Sequence, residues 1–125
     1  MLRFSCLVLA TLALVFATAV IAQPTAQYKY FRIGSPQDAA TKPQPGFALM
    51  GGGADLDEAF RWMCNRANGG DFLVLRARGT DAYNPYVHSL CHENSVATLL
   101  IPDRKTAFDE AVRTRIANAS TIFIS

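Results

Sequence analysis

The sequence is poor in cysteine, in histidine and in excess charge, and each shortage removes a class of function. A formal charge of +2, with lysine and arginine scattered over 125 residues, gives no electrostatic footprint for nucleic acid or a membrane surface. Three cysteines do not make a disulfide framework. The two histidines, His88 and His92, are four apart with Glu93 adjacent, and can share a helix face as metal ligands. A third ligand at a recognisable spacing is missing, so no metal is expected. The length allows one globular domain.

What is present begins with "MLRFSCLVLATLALVFATAVIAQ". Arg3 forms a basic start, the run Cys6 to Ile21 is apolar, and small residues precede Gln23, which is the pattern of a secretory signal peptide over residues 1–22. Cleavage fits after Ala22, with Ala19 the alternative. An uncleaved anchor competes, because the apolar run falls only a little short of the roughly 20 residues that span a bilayer. Cleavage places the mature chain in a secreted or periplasmic setting with no further membrane contact. It also removes Cys6 and leaves Cys64 and Cys91, which can pair in an oxidising compartment.

Residues 23–46 are rich in Pro, Thr, Gln and Ala and read as a linker, apart from "YKYFRI", which can pair as an edge strand. Residues 47–125 carry the domain. An apolar run from Phe47 to Met50 reads as a strand leading through Gly51–Gly53 into a helix. Leu56, Ala59, Phe60, Met63, Cys64 and Ala67 fall on one face of that helix. Asp55 is placed to cap it, with Glu58 three residues on, and Gly69-Gly70 to end it. "DFLVLRA" and "VATLLIP" are continuous apolar runs of strand length, and "TIFIS" is a further strand. Between them, "NPYVHSLC" predicts a short helix with Asn84 as N-cap and Pro85 in the first turn. A later helix has Phe108, Ala111, Val112 and Ile116 along one face.

Strands without polar alternation, joined by helices, predict an α/β fold with an open, mostly parallel sheet and helices on both faces, a three-layer sandwich. Ligands in such folds lie beyond the carboxyl ends of the strands, which points to Gly51–Gly53 and the Gly79–Asn84 loop. Gly51 and Gly53 begin a dinucleotide fingerprint, but Leu56 stands where the third glycine belongs. Asp55, Asp57 and Glu58 crowd the turn that would hold a phosphate. No Lys-Ser or Lys-Thr pair follows for a Walker loop, so no cofactor is expected. A non-catalytic module holding a small anion or nucleotide at Gly51–Gly53 is the competing reading. Arg76 and Arg78 leave "DFLVLRA" at its carboxyl end, to face an acidic group or solvent. "NAS" at Asn118–Ser120 fits the glycosylation acceptor rule. No serine sits in a glycine-flanked strand-to-helix turn of the kind a nucleophile needs.

"GFALMGGGADLDEAFRWMCNRANGGDFLVLRARGTDAYNPYV" resembles the N-terminal segment of the cyanophycinase-like serine hydrolases, a peptidase family that also holds the aspartyl dipeptidases. The likeness runs from about Tyr28 to Ser125. It implies a fold of the class I glutamine amidotransferase kind and action on cyanophycin or aspartyl peptides as substrate partner. In the family the strand similar to "STIFIS" leads into a Gly-Gly-Asp-Gln loop, with a Gly-x-Ser-Ala-Gly elbow later still. The resemblance therefore implies a chain incomplete at its carboxyl end and inactive alone, as a truncated product, an incomplete gene model or a fragment. It assigns no catalytic residue here. Gly51, Gly52, Gly53, Gly79, Thr80, Asp81 and Asn84 are expected to shape the cleft.

Overall fold

The computed structural model describes residues 27–125, so the expected signal peptide at 1–22 lies outside the described residues. The chain runs β1 (Lys29–Gly34), α1 (Asp57–Ala67), β2 (Asp71–Arg76), α2 (Tyr83–Leu90), β3 (Ser95–Leu100), α3 (Arg104–Ala107), α4 (Glu110–Asn118) and β4 (Thr121–Ile124). The strands form one open sheet in the order β1-β3-β2-β4. β2 pairs parallel with β3 and with β4, while β1 pairs antiparallel with β3. The fold is thus α/β with a mostly parallel sheet, and "YKYFRI" is its edge.

The apolar runs are buried strands because both their faces are covered. All six residues of β3 are buried, including the polar Ser95 and Thr98. Side chains alternate across a strand, and the two apolar clusters follow that alternation. Phe72, Val74 and Val96 pack with Phe60, Met63 and Cys64 of α1 and Val87 of α2. Leu73, Ala97 and Leu99 pack with Val112 of α4. Phe60 is fully buried and touches four aromatic rings, those of Phe72, Tyr83, Tyr86 and Phe123, with centroids 5.0 to 6.2 Å away.

Several local expectations are corrected. Phe47–Met50 is not a strand; Phe47 and Leu49 are 95% and 97% exposed. Apolar content without a partner strand or helix does not make a strand. Asp55 does not cap α1. Leu56 holds the N-cap position without a side-chain bond, because the Asp55 carboxylate accepts from the Tyr83 hydroxyl at 2.8 Å. The helix ends with Asn68 in the left-handed region and Gly69 after it. Asn84 is not the N-cap of α2 but lies inside it, fully buried, with Ala82 at the cap position. Phe108 does not join one helix with Val112: α3 and α4 are separate, and Phe108 between them is exposed. Each is capped by its own aspartate, Asp103 accepting from the Thr106 amide and Asp109 from the Ala111 amide.

The segment read as linker is tied down after β1. The Ala39 amide bonds Asp71, Thr41 Oγ1 bonds the Ala67 carbonyl, and the Gln44 amide bonds the Arg66 carbonyl. Among the described residues, no helix is long and apolar enough to cross a membrane.

Candidate functional site at the carboxyl ends of the strands

β2 leaves the sheet at Arg76, and the loop from Ala77 to Ala82 returns the chain to α2. Arg76 organises this loop. Its guanidinium lies 5.3 Å from the centre of the Tyr83 ring and donates to the Thr80 carbonyl at 3.0 Å. Gly79 is required by this arrangement: its φ is +114°, and a Cβ there would stand 3.0 Å from the Arg76 guanidinium carbon. Thr80 is exposed and contributes its carbonyl, and the Asp81 carbonyl accepts from the Asn84 amide at 2.8 Å. Arg78 is exposed.

Two phenols fasten α2 to the start of α1. Tyr83 donates to Asp55 at 2.8 Å, and Tyr86 donates to Asp57 at 2.6 Å. The bond to Asp57 holds the Tyr86 proton in place and pushes that phenol up to about 12. Two of the three carboxylates that crowd the glycine turn in sequence, Asp55 and Asp57, are therefore phenol acceptors in space. "GGGADLDEAF" and "GTDAYNPY" meet at one end of the sheet, with Phe123 of β4 packed 5.2 Å from Tyr83.

Gly51, Gly52 and Gly53 are exposed, none has positive φ, and a Cβ on any of them would meet nothing within 4 Å. The backbone does not demand glycine at these three positions. Asn84 does not face the cleft. Its Nδ2 donates to the Phe31 carbonyl at 3.2 Å, and its Oδ1 accepts from Thr98 Oγ1 at 2.7 Å, which ties α2 to β1 and β3.

An open cavity of about 680 Å³ forms a groove along β4. Pro43–Met50, Trp62 and Arg66 form its other wall, and Arg66 stacks 4.5 Å over Trp62. Among the described residues Arg66 is the sole charged side chain lining it, so they supply no acid–base pair there.

Two polar groupings lie elsewhere, and of these the sequence reading reached only the Cys64–Cys91 pair of the second. At the amino ends of the strands, Asp71 accepts from Arg32, Asn94, Ser95 and the Ala39 amide. Arg32 also donates to Asp38 at 2.6 Å, and bonds from Arg32 and Asn118 hold the Asp38 carboxyl below the usual carboxylate range. The signal for this network was weak, because its members are spread from 32 to 118. The second grouping is Glu93 beside a disulfide between Cys64 and Cys91, whose Cα atoms are 6.0 Å apart. Burial, and then the charge of Asp71, push the Glu93 carboxyl up to about 7.

His88 and His92 are exposed and gather no third ligand among the described residues. No serine is paired with a histidine there either: Ser89 bonds the Tyr86 carbonyl, Ser95 bonds Asp71, and Ser120 meets Thr41. The site holds two segments together at the carboxyl ends of parallel strands. Comparison with protein-family models, with curated proteins and with solved structures finds no match to this chain.

Proposed function

We propose that this chain supplies the N-terminal part of a secreted or periplasmic cyanophycinase-like serine peptidase, a three-layer sandwich of the class I glutamine amidotransferase kind acting on cyanophycin or aspartyl peptides. The observation that carries the reading is the pair of phenol–carboxylate bonds, Tyr83 to Asp55 and Tyr86 to Asp57. They join the two stretches in which the sequence resembles that family, at the end of the sheet where α/β folds bind ligands. Chemistry supports the substrate class. An aspartyl-arginine unit carries a carboxylate and a guanidinium, and Arg78 and Asp81 stand on the loop with opposite charges to meet them.

Residues 27–125 serve as a cleft wall in this reading, with the nucleophile and its base supplied from elsewhere in the parent enzyme. The chain by itself then binds without cleaving. Calorimetry of the purified chain with β-aspartyl-arginine and with a nucleoside diphosphate is the test. Binding of the peptide, weakened by Asp81→Asn, is expected. Preference for the nucleotide would replace this reading with anion capture at Gly51–Gly53, and release of dipeptides from cyanophycin by the pure chain would refute the assignment of catalysis to residues outside it.

A further inference from the structure

Away from the cleft, α1, the end of α2 and the connection to β3 bring together three soft and hard donors. Cys64 lies on α1, Cys91 is the residue that ends α2, and Glu93 follows two residues later. Their ligand atoms all lie within 4.8 Å of one another. Glu93 is only 8% exposed, and its Oε2 is buried with no hydrogen-bond partner. A buried polar atom without a partner is rare in folded proteins and calls for an explanation. The nearest cavity, about 380 Å³, is lined by Cys64, Cys91, Glu93, His92, Arg61 and Asn65 among others, so solvent and small ions reach the cluster.

We propose that reduction of the Cys64–Cys91 disulfide converts this cluster into a binding site for a thiophilic divalent cation of the zinc class. Two thiolates and a carboxylate are a recognised donor set for such an ion, with the fourth tetrahedral position open to water. His92 lines the same cavity but stands outside the cluster of ligand atoms, which leaves the fourth position to water. The conversion balances. A phosphine and one water reduce the disulfide, giving two thiols and the phosphine oxide; the metal then binds both sulfurs as thiolates and releases two protons. The geometry suits the change, because Cα atoms 6.0 Å apart let side-chain rotation part the sulfurs to the ~3.8 Å that two Zn–S bonds of ~2.3 Å at a tetrahedral angle require. The backbone there is fixed, since the Cys91 amide bonds the Val87 carbonyl. In the oxidised protein the sulfurs are bonded to each other and the site is closed.

The experiment titrates cobalt(II) into the full chain, oxidised and after anaerobic phosphine reduction, with circular dichroism recorded on each sample. Expected are a thiolate-to-cobalt charge-transfer band saturating at one equivalent in the reduced protein, its displacement by zinc, and silence in the oxidised protein. Cys64→Ser abolishes the band. Glu93→Gln keeps the band but weakens cobalt binding by at least about 10-fold, since even outer partners of metal ligands are worth 10–100-fold. Absence of the band in reduced protein, whether folded or unfolded, would overturn the proposal, as would equal affinity in Glu93→Gln.

Discussion

Asn84 offers the most direct test of how this fold is held together. It is fully buried inside α2, and its amide bridges the Phe31 carbonyl of β1 and the Thr98 hydroxyl of β3, itself fully buried. Asn84→Ala leaves that hydroxyl without its acceptor and the carbonyl with one bond fewer. An unsatisfied buried group costs about 1–3 kcal/mol, and the carbonyl, with a second lone pair, falls at the low end. The small void adds less than ~1 kcal/mol, and alanine's better helix propensity returns about 0.5 kcal/mol. The expected loss is about 3 kcal/mol, a large part of a typical stability of ~5–15 kcal/mol. Thr98→Val keeps the shape but strips Asn84 Oδ1 of its donor, for a loss of about 1–2 kcal/mol. Once Asn84 is gone the Thr98 hydroxyl has nothing to bond, so the double variant should lose less than the sum, by about 1–2 kcal/mol. Urea denaturation of the four proteins, under oxidising conditions at one pH, measures the cycle. Additivity within ~0.5 kcal/mol would show that the bridge contributes nothing and refute the reasoning.

Other expectations follow from single residues. The Glu93 carboxyl is raised from about 4.5 to about 7, so the folded chain keeps a proton that the unfolded chain releases; stability is full below pH ~4.5 and falls as pH rises through ~7. Glu93→Gln, neutral throughout, should match the wild type at pH 4.5 and exceed it at pH 8 by ~2 kcal/mol, the ceiling of about 3 kcal/mol being lowered by the open cavity alongside; parallel melting curves at the two pH values decide it. Reducing the disulfide, which closes a loop over 27 positions, should lower stability by about 3.5 kcal/mol in metal-free buffer, seen as a lower urea midpoint. Gly79→Ala should cost about 1–3 kcal/mol from its left-handed φ, whereas Gly52→Ala, with open space around it, should stay within ~0.5 kcal/mol. Equal effects at the two glycines in thermal melts would contradict the placement of both.

The strands were the most legible part of the chain for a physical reason. β2 and β3 are buried on both faces, so hydrophobicity, length and β-branching all pointed one way. The helix of Asp57–Ala67 was legible by its period. What failed were positions where one residue had two possible partners. Asp55 is a good cap in isolation, but the nearby Tyr83 hydroxyl takes it. Asn84 is a good cap by type, yet Thr98 and Phe31 offer a buried pair of bonds that outweigh a surface one. In the apolar run Phe47–Met50, Phe47 and Leu49 had hydrophobicity without a neighbour to bury them. The break between Phe108 and Glu110 was missed because the apolar period ran across it, although Asp103 and Asp109 each cap a helix.

The same competition for partners governs the candidate site. A glycine triplet before a helix suggests a phosphate cradle only if the amides of that turn are free and the local field is positive. Here Asp55 and Asp57 hold the field negative, and they stay where they are because two tyrosines of α2 donate to them. Those tyrosines are in turn positioned by Phe60, the ring at the centre of the core. An anion arriving at the turn would have to displace carboxylates that are tied, through two phenols, to a fully buried aromatic of the core. The carboxylates of the turn are thus coupled to the core, while Arg78 and Thr80 stay exposed on the Gly79 loop.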